Sequence, residues 1–316
     1  YKFLMKLISI VFSFKNEEEN IPKLVERTAK VFKDVNTYNY ELIFVNDDST
    51  DGSEEILIKL QNNYPITIIN MSRNFGVGPC VIAGFKHTKG DAIVYMDSDL
   101  QDPPELIKEL IAKHEKGFDI VHTVRTKRLG EKRVKLFITN LAYRFIKFFS
   151  DIPLLVDAGD FKLISRRALN KILELKEVRP YLRGLSVWVG FKQSKIYYVR
   201  DARFSGKAKF STISAGSVNE FINGVTAHSI KPLYIGIVLG FFSIFVSIIL
   251  IVHTLYAKFN SLSALGSASI LIAISFFSGT ILFTLGTIGI YIARIFEQVR
   301  GRSNYIIKDI KEYKKN

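Results

Sequence analysis

Apolar and polar residues follow two different rhythms along this chain. In the first half, short β-branched or aromatic runs alternate with longer stretches in which apolar residues recur at three-to-four spacing. Strands are expected at Leu7 to Phe14, Glu41 to Asn46, Thr67 to Met71, Ala92 to Met96 and Asp119 to Val124. Helices are expected between them, at Glu17 to Phe32, Ser53 to Asn62, Val77 to Thr88 and Pro104 to Glu115. The alternation predicts an α/β domain, a mostly parallel sheet with helices on both faces. Ligands of such sheets bind beyond the carboxyl ends of the strands, so that is where chemistry is sought.

The second rhythm is nearly uninterrupted. No Asp, Glu, Lys or Arg occurs from Leu233 to Ala257 or from Leu262 to Ala293, and about 20 apolar residues suffice to cross a bilayer core. Two transmembrane helices are expected, closed into a hairpin by the short link around Lys258. Lys207, Lys209 and Lys231 precede the hairpin, and Arg294, Arg300, Arg302, Lys308 and Lys311 follow it. This bias places both flanks, and with them the sheet domain and both termini, on the cytoplasmic side of the inner membrane. Between Glu131 and Ser150, Val134, Phe137, Ile138, Leu141, Phe145, Phe148 and Phe149 keep helical spacing among Lys132, Arg133, Lys135, Arg144 and Lys147. A basic, Phe-rich amphipathic helix of this kind lies in the membrane interface. The expected organisation is a sheet domain at 1–210 containing the interfacial helix 131–150. A juxtamembrane segment at 211–232, membrane helices at 233–257 and 262–293, and a basic tail at 294–316 follow.

Composition sharpens this picture. The 316 residues carry a net charge of +14 with 48% hydrophobic residues, and the mean hydropathy is +0.16. Basic and apolar together indicate a membrane surface as partner rather than nucleic acid. A single cysteine, Cys80, excludes a disulfide within the chain and a multi-cysteine zinc site, and fits a small buried side chain in a reducing compartment. The residues before Ser9 lack a small-residue cleavage site, so no signal peptide is expected.

Two acidic clusters follow expected strands, Asn46-Asp47-Asp48-Ser49-Thr50-Asp51-Gly52 after the second and Asp97-Ser98-Asp99-Leu100-Gln101-Asp102 after the fourth. Asp97 and Asp99 flank one residue at a strand end, so both carboxylates can turn toward one ligand. Hard oxygen donors of this kind suit Mg2+ or Mn2+ bound with a substrate diphosphate. No Gly-X-Gly-X-X-Gly follows a strand and no Gly-X-X-X-X-Gly-Lys-Ser/Thr occurs, so a nucleotide would be held by acids and metal instead. Arg203 and Lys209 lie shortly before the first apolar helix, where phosphate headgroups are. Arg chelates phosphate with a planar fork and Lys adds a point charge.

These residues resemble the family-two glycosyltransferases of GT-A, Rossmann-like fold. Within them they resemble the polyprenyl-phosphate glycosyltransferases related to dolichol-phosphate mannose synthase. The matching blocks are Asn16-Glu17-Glu18-Glu19-Asn20, Val45 to Gly52, Arg73-Asn74-Phe75-Gly76, Gly90-Asp91, Asp97 to Glu105, Asp157-Ala158-Gly159-Asp160-Phe161-Lys162-Leu163, Arg183-Gly184 and Arg203 to Lys209. The hairpin is similar to that of the bacterial subgroup that charges undecaprenyl phosphate with glucose or a related sugar. Ser13 and Lys15 stand where the family usually has Pro and Tyr, Asn46 where it has Asp, Asp48 where it has Gly, and Ala208 where it has Ser.

The resemblance implies a donor-nucleotide site of Ser13, Asn16, Glu17, Asp47, Asp48, Arg73, Asn74 and Asp97, with Asp99 and Asp97 on the metal. It implies an acceptor-phosphate site of Arg183, Arg203 and Lys209, with Asp157 or Asp160 orienting the acceptor or acting as base. It further implies an inverting, metal-dependent hexosyl transfer, glucosyl foremost, from a UDP-sugar to undecaprenyl phosphate, by a homo-oligomer such as a tetramer. Mannose, GlcNAc and aminoarabinose are the alternative sugars. A processive polysaccharide synthase would need Gln-X-X-Arg-Trp, whereas Trp188, the sole Trp, follows Val187. A non-enzymatic membrane component would need ionisable groups within the bilayer, where His253 alone stands.

Overall fold

The computed structural model describes residues 5–35, 37–128, 133–155, 157–201, 215–260 and 266–313. The first strand, β1 (Lys6–Phe14), is buried on both faces, and its alternate residues feed two separate cores. Ile8, Ile10, Phe12 and Phe14 point to one side and pack with Leu24 and Val25 of α1 (Ile21–Asp34), Leu57 of α2 (Ser53–Leu60) and Leu110 of α4 (Ile107–Glu115). Val11 points to the other and meets Val81 and Phe85 of α3 (Val77–Lys86) and Leu169 of α6 (Arg166–Glu174). A strand with apolar residues on both faces requires helices on both faces, as the sequence pattern predicts.

The remaining strands are β2 (Tyr38–Asn46), β3 (Ile66–Met71), β4 (Ala92–Asp97), β5 (Ile120–Arg128), β6 (Ala158–Ser165), β7 (Gln193–Arg200) and β8 (Ile307–Lys311). They form one eight-stranded sheet in the order β7-β5-β6-β4-β1-β2-β3-β8, in which only β6 and β8 run against the rest. The chain steps from β1 outward through β2 and β3, then returns to lay β4 on the opposite side of β1. The order therefore reverses between β1 and β4, and in open α/β sheets ligands bind at the carboxyl ends beside such a reversal. Ser13 and Asp97 are register partners at that point.

The chain divides into two compact units, residues 1–148, 152–227 and 303–316 in one, and 149–151 and 228–302 in the other. In the first unit, α5 (Arg133–Phe149) buries Ile146 but leaves Leu141, Phe145 and Phe148 exposed. Phe221 of α8 (Ala215–Ala227) lies against Phe145 with ring centroids 5.6 Å apart.

The second unit is dominated by α9 (Lys231–Phe259) and α10 (Ser267–Arg300). Lys231–Ala257 and Ile272–Arg300 are long and apolar enough to cross a membrane, with mean hydropathies of 3.0 and 1.7. Phe242 faces Phe276, and Gly236 lies where an added Cβ would stand 2.6 Å from Thr284, as antiparallel helices demand. Thr254, Thr280, Thr284 and Thr287 donate to the carbonyls four residues back, so their hydroxyls are satisfied within the helix. The second helix starts at Ser267 and runs to Arg300, beyond the apolar limit at Ala293. It stops at Gly301, whose left-handed backbone (φ 63°) forms the cap.

β8, like β6 and β7, lies beyond the five strands that the hydrophobic pattern announces. Rather than trailing free, the segment after α10 pairs antiparallel with β3. Asn70 donates to Asp309 at 2.8 Å, and Lys311 pairs with Glu54 of α2 at 2.5 Å. Deleting residues 303–316 would strip the β3 edge and leave Asn70 short of an acceptor, a loss of roughly 2–3 kcal/mol. For a unit of this size the melting temperature should fall by roughly 5–10 °C, read by scanning fluorimetry in detergent. Lys311→Ala, which removes only a part-exposed ion pair, should cost less than about 1 kcal/mol.

Candidate active site

The carboxyl edge of the sheet is where backbone strain collects. Four non-glycine residues with left-handed backbone lie there: Asn16 (φ 52°) after β1, Asp48 (φ 62°) after β2, Leu100 (φ 58°) after β4 and Asp157 (φ 63°) before the antiparallel β6. Asn and Asp tolerate this region, whereas Leu does so rarely. Leu100 is held by burial, only 2% exposed.

Side chains stitch these turns together. Asn16 receives the Thr50 N–H at 2.8 Å and donates its own backbone N–H to Ser49 at 3.0 Å. The Glu17 N–H goes to Ser53 at 2.9 Å, and its buried carboxylate accepts from Asn20 at 2.5 Å. Asn16 and Glu17, expected at the nucleotide, thus fasten the β1 turn to the β2 turn. Asn46 donates to Asn70 at 3.1 Å and accepts the Ser49 N–H at 2.9 Å, two tasks that an ionised Asp could not both perform. Asp48 is exposed.

Asp47 is almost fully buried, and the 73–76 loop engages both its carboxylate oxygens. Phe75 N–H donates to Oδ1 at 2.7 Å, and Gly76 N–H and the Asn74 amide donate to Oδ2, each at 3.0 Å. The loop so fixed leads directly into α3. Arg73 is exposed and stacks over Phe75, 3.9 Å from its ring centroid. Asp47, Arg73 and Asn74, expected to contact the donor separately, form one constellation in which Asp47 is the clip.

At the end of β4, Asp97 accepts from the buried Tyr95 hydroxyl at 3.2 Å, which also lies 3.2 Å from Ser13 Oγ. Burial pushes the Asp97 carboxyl up to about 7, with the neighbouring Asp99, Asp160 and Asp102 adding to it and Arg125 opposing. Asp99 accepts the Gln101 N–H at 3.2 Å, which tightens the turn. Among the described residues no group of three His, Cys, Asp or Glu is placed to hold a metal ion. Asp97 and Asp99 would therefore give a divalent cation two hard oxygen donors, the diphosphate and water supplying the rest. The crowding of negative charge around Asp97 fits that donor set.

Asp160 and Arg183 are brought together as one ion pair. Arg183 Nε reaches Asp160 Oδ1 at 3.0 Å and Nη2 reaches Oδ2 at 2.5 Å, while Nη1 donates to the Tyr143 hydroxyl. Burial by itself would raise the Asp160 carboxyl, but the Arg183 charge and hydrogen bonds outweigh it and hold it at about 2. A carboxylate so held is a weak proton acceptor and a firm anchor for Arg183. Behind it, burial brings Lys162 down to about 8 and His122 down to about 3. Arg203 and Lys209 lie outside the described residues.

Sequence reasoning missed a second buried cluster around Asp102, which is fully enclosed. It receives the Tyr198 hydroxyl and Arg125 Nη2 (3.4 Å), and Arg200 Nε stands 3.5 Å away. Its partners lie on β5 and β7, so no local spacing could have disclosed them.

Comparison with known proteins gives this geometry a lineage. The family described as "Glycosyl transferase family 2" matches residues 9–173, just over half of the chain and the span from β1 to α6. A protein of Bacillus subtilis (strain 168) named "Uncharacterized glycosyltransferase YkcC" is 40% identical over 309 residues, 95% of this chain and 93% of its own. "Uncharacterized glycosyltransferase sll0501" of Synechocystis sp. is 37% identical over 311 residues, 96% and 95% of the two chains. The "SfII prophage-derived bactoprenol glucosyl transferase" of Shigella flexneri is 35% identical over 306 residues, 95% and 97% of the two chains. With acidic strand ends beside the β1/β4 reversal and relatives matched along nearly their whole length, the chain belongs to glycosyl transferase family 2.

Proposed function

We propose that the protein transfers a glucosyl group from UDP-glucose to a polyprenyl phosphate of the bactoprenol kind at the cytoplasmic face of the membrane. The observation that carries this reading is the reach of the similarity to the Shigella flexneri bactoprenol glucosyl transferase. It extends over 95% of this chain and so takes in the acidic sheet and both apolar helices. Charge supports the topology: Lys231 before the apolar helices and Arg294, Arg300 and Arg302 after them favour a cytoplasmic position for both flanks. The exposed apolar stripe of α5 suits an in-plane position at the interface.

In this mechanism the acceptor phosphate, with a second ionisation near pKa ~6, is already largely dianionic, so it needs guidance more than deprotonation. Arg203 and Lys209 supply the cationic guidance, and Arg183 adds its charge from the pair with Asp160. Asp97 and Asp99 would hold Mg2+ or Mn2+ beside the donor diphosphate, and the cation would supply charge neutralisation for the departing UDP. The Asp47 clip fixes the 73–76 loop as one wall of the donor site. In-line attack by the lipid phosphate on the anomeric carbon inverts it, so an α-linked donor gives a β-linked lipid.

The direct test is transfer of labelled glucose from UDP-glucose to undecaprenyl phosphate by purified protein in detergent, with Mg2+ or Mn2+ and with EDTA. Transfer should require both lipid phosphate and cation. Asp99→Asn should lower it by at least about 100-fold with an unchanged melting curve, since a hard anionic ligand is lost. Absence of transfer from UDP-glucose by the wild type would refute the reading.

A second expectation separates donor from acceptor. Arg203→Ala should raise the Michaelis constant for polyprenyl phosphate by roughly 10- to 100-fold, the worth of one charge-assisted phosphate contact. UDP-glucose affinity by calorimetry should stay the same, and Arg203→Lys should restore the acceptor constant only in part.

A third follows from Asp97. Its carboxyl is raised in the fold, so its contribution to stability is complete below about pH 4 and is lost as pH climbs through about 7. Cation-free wild type should therefore melt lower at pH 8 than at pH 5. Asp97→Asn should raise the melting temperature at pH 8 and not at pH 4, as scanning fluorimetry across that range would record.

A further inference from the structure

Asp102 is the residue whose surroundings the mechanism leaves unexplained. It lies three positions beyond Asp99, on the far side of the left-handed Leu100, and is fully buried. A carboxylate enclosed in protein is tolerated only with charged partners and donors in good geometry. Here they come from two other strands. Arg125 of β5, its side chain 7% exposed, approaches Oδ2 and also donates through Nε to the Tyr198 hydroxyl at 3.0 Å. Tyr198 and Arg200, both of β7, reach Oδ1.

Two further features show that the fold makes room for this cluster. The pairing of β5 with β7 shifts register between Arg125 and Lys127, a bulge that re-aims the side chain there. A Cβ on Gly159 of β6 would stand 2.7 Å from Arg125 Nη2, so a larger residue there would displace the guanidinium. The backbone repeats the connection next door: the Asp201 N–H donates to the Gln101 carbonyl at 3.1 Å. Asp201 is the last residue before the 202–214 segment that carries Arg203 and Lys209.

We infer that Asp102 is a positioning residue. Through Tyr198, Arg125 and Arg200 it fixes the turn bearing Asp97 and Asp99 to the end of β7, and so sets the register between the donor carboxylates and the start of the basic segment. The assignment of the two ends to donor and acceptor rests on the function proposed above; the link itself does not. An interaction that only stabilised the sheet would affect donor and acceptor alike. This link instead governs how the two substrates meet.

The test uses the full-length protein in detergent with two variants, Tyr198→Phe and Asp102→Asn. Tyr198→Phe removes the bridging hydroxyl and leaves every charge in place, so it should fold and melt within about 3 °C of wild type. Asp102→Asn removes the buried negative charge that Arg125 and Arg200 approach and is the harsher change; should it fail to fold, Tyr198→Phe decides alone. Three quantities are read: UDP-glucose affinity by calorimetry with Mn2+, transfer kinetics against undecaprenyl phosphate, and amide exchange of peptides spanning 97–105 and 193–201. For Tyr198→Phe the expected result is donor affinity within twofold, a roughly three- to tenfold loss in kcat/KM for the lipid phosphate, and faster exchange in both peptides together. Unchanged acceptor kinetics, or donor affinity falling in step with them, would overturn the inference. Where the wild type itself transfers nothing, the proposed function fails, and exchange alone judges the link: joint loss of protection upholds it and loss in one peptide alone refutes it.

Discussion

A carboxylate withdrawn from water must be given donors or counter-charge, and the carboxyl edge of this sheet is organised by how that requirement is met at each acid. Asp47 is met by two backbone N–H groups and an amide, Asp160 by a guanidinium fork, and Asp102 by a tyrosine and two arginines. Each solution fixes a loop. Asp97 is the exception: it has one tyrosine hydroxyl at 3.2 Å and acids for neighbours, and its carboxyl rises to about 7. Asp97 is thus compensated less than the other three acids, and perturbed groups of this kind gather at functional sites.

The strain along the same edge has the same origin. Asn16, Asp48, Leu100 and Asp157 take left-handed backbone where the chain must turn sharply at a strand end. Such conformations persist when the surroundings over-determine them. Asn16 is held by Ser49 and Thr50, and Leu100 by the core beneath it and the Asp102 cluster beyond it. The result is a rim of turns with little freedom above a sheet buried on both faces, which suits a glycosyl transfer, where the reacting groups must be held in fixed geometry.

Much of this was legible in the sequence because its causes are local. Runs such as Leu7 to Phe14 and Ala92 to Met96 mark strands by composition, the acids follow them directly, and the charge-free helices stand out by length alone. The first five strands emerge within a few residues of expectation, β5 continuing to Arg128. What could not be read depends on distance. Asp160 and Arg183 belong to separate motifs and become one ion pair only when β6 and α7 (Leu182–Trp188) pack. Asp102 finds Tyr198 at 96 positions' remove. Asp47 reads as a ligand contact because its donors, 27 to 29 residues on, are mostly backbone N–H groups, which leave no mark in a sequence. β8, five residues with three charges, has almost no strand signature and is strand only because β3 offers an edge.

That last strand also imposes a schedule on biosynthesis. Asn70 and Asp309 are 239 residues apart, so at ribosomal speeds of 5–20 residues per second roughly ten to fifty seconds separate the emergence of β3 from that of its partner. During that interval the nascent sheet has an open β3 edge, and both long apolar helices leave the ribosome before the strand that covers it. The order of synthesis thus puts both apolar helices outside the ribosome before the sheet can close. A chain stalled before its final residues would present an unpaired strand, which is what quality-control machinery and aggregation both act upon.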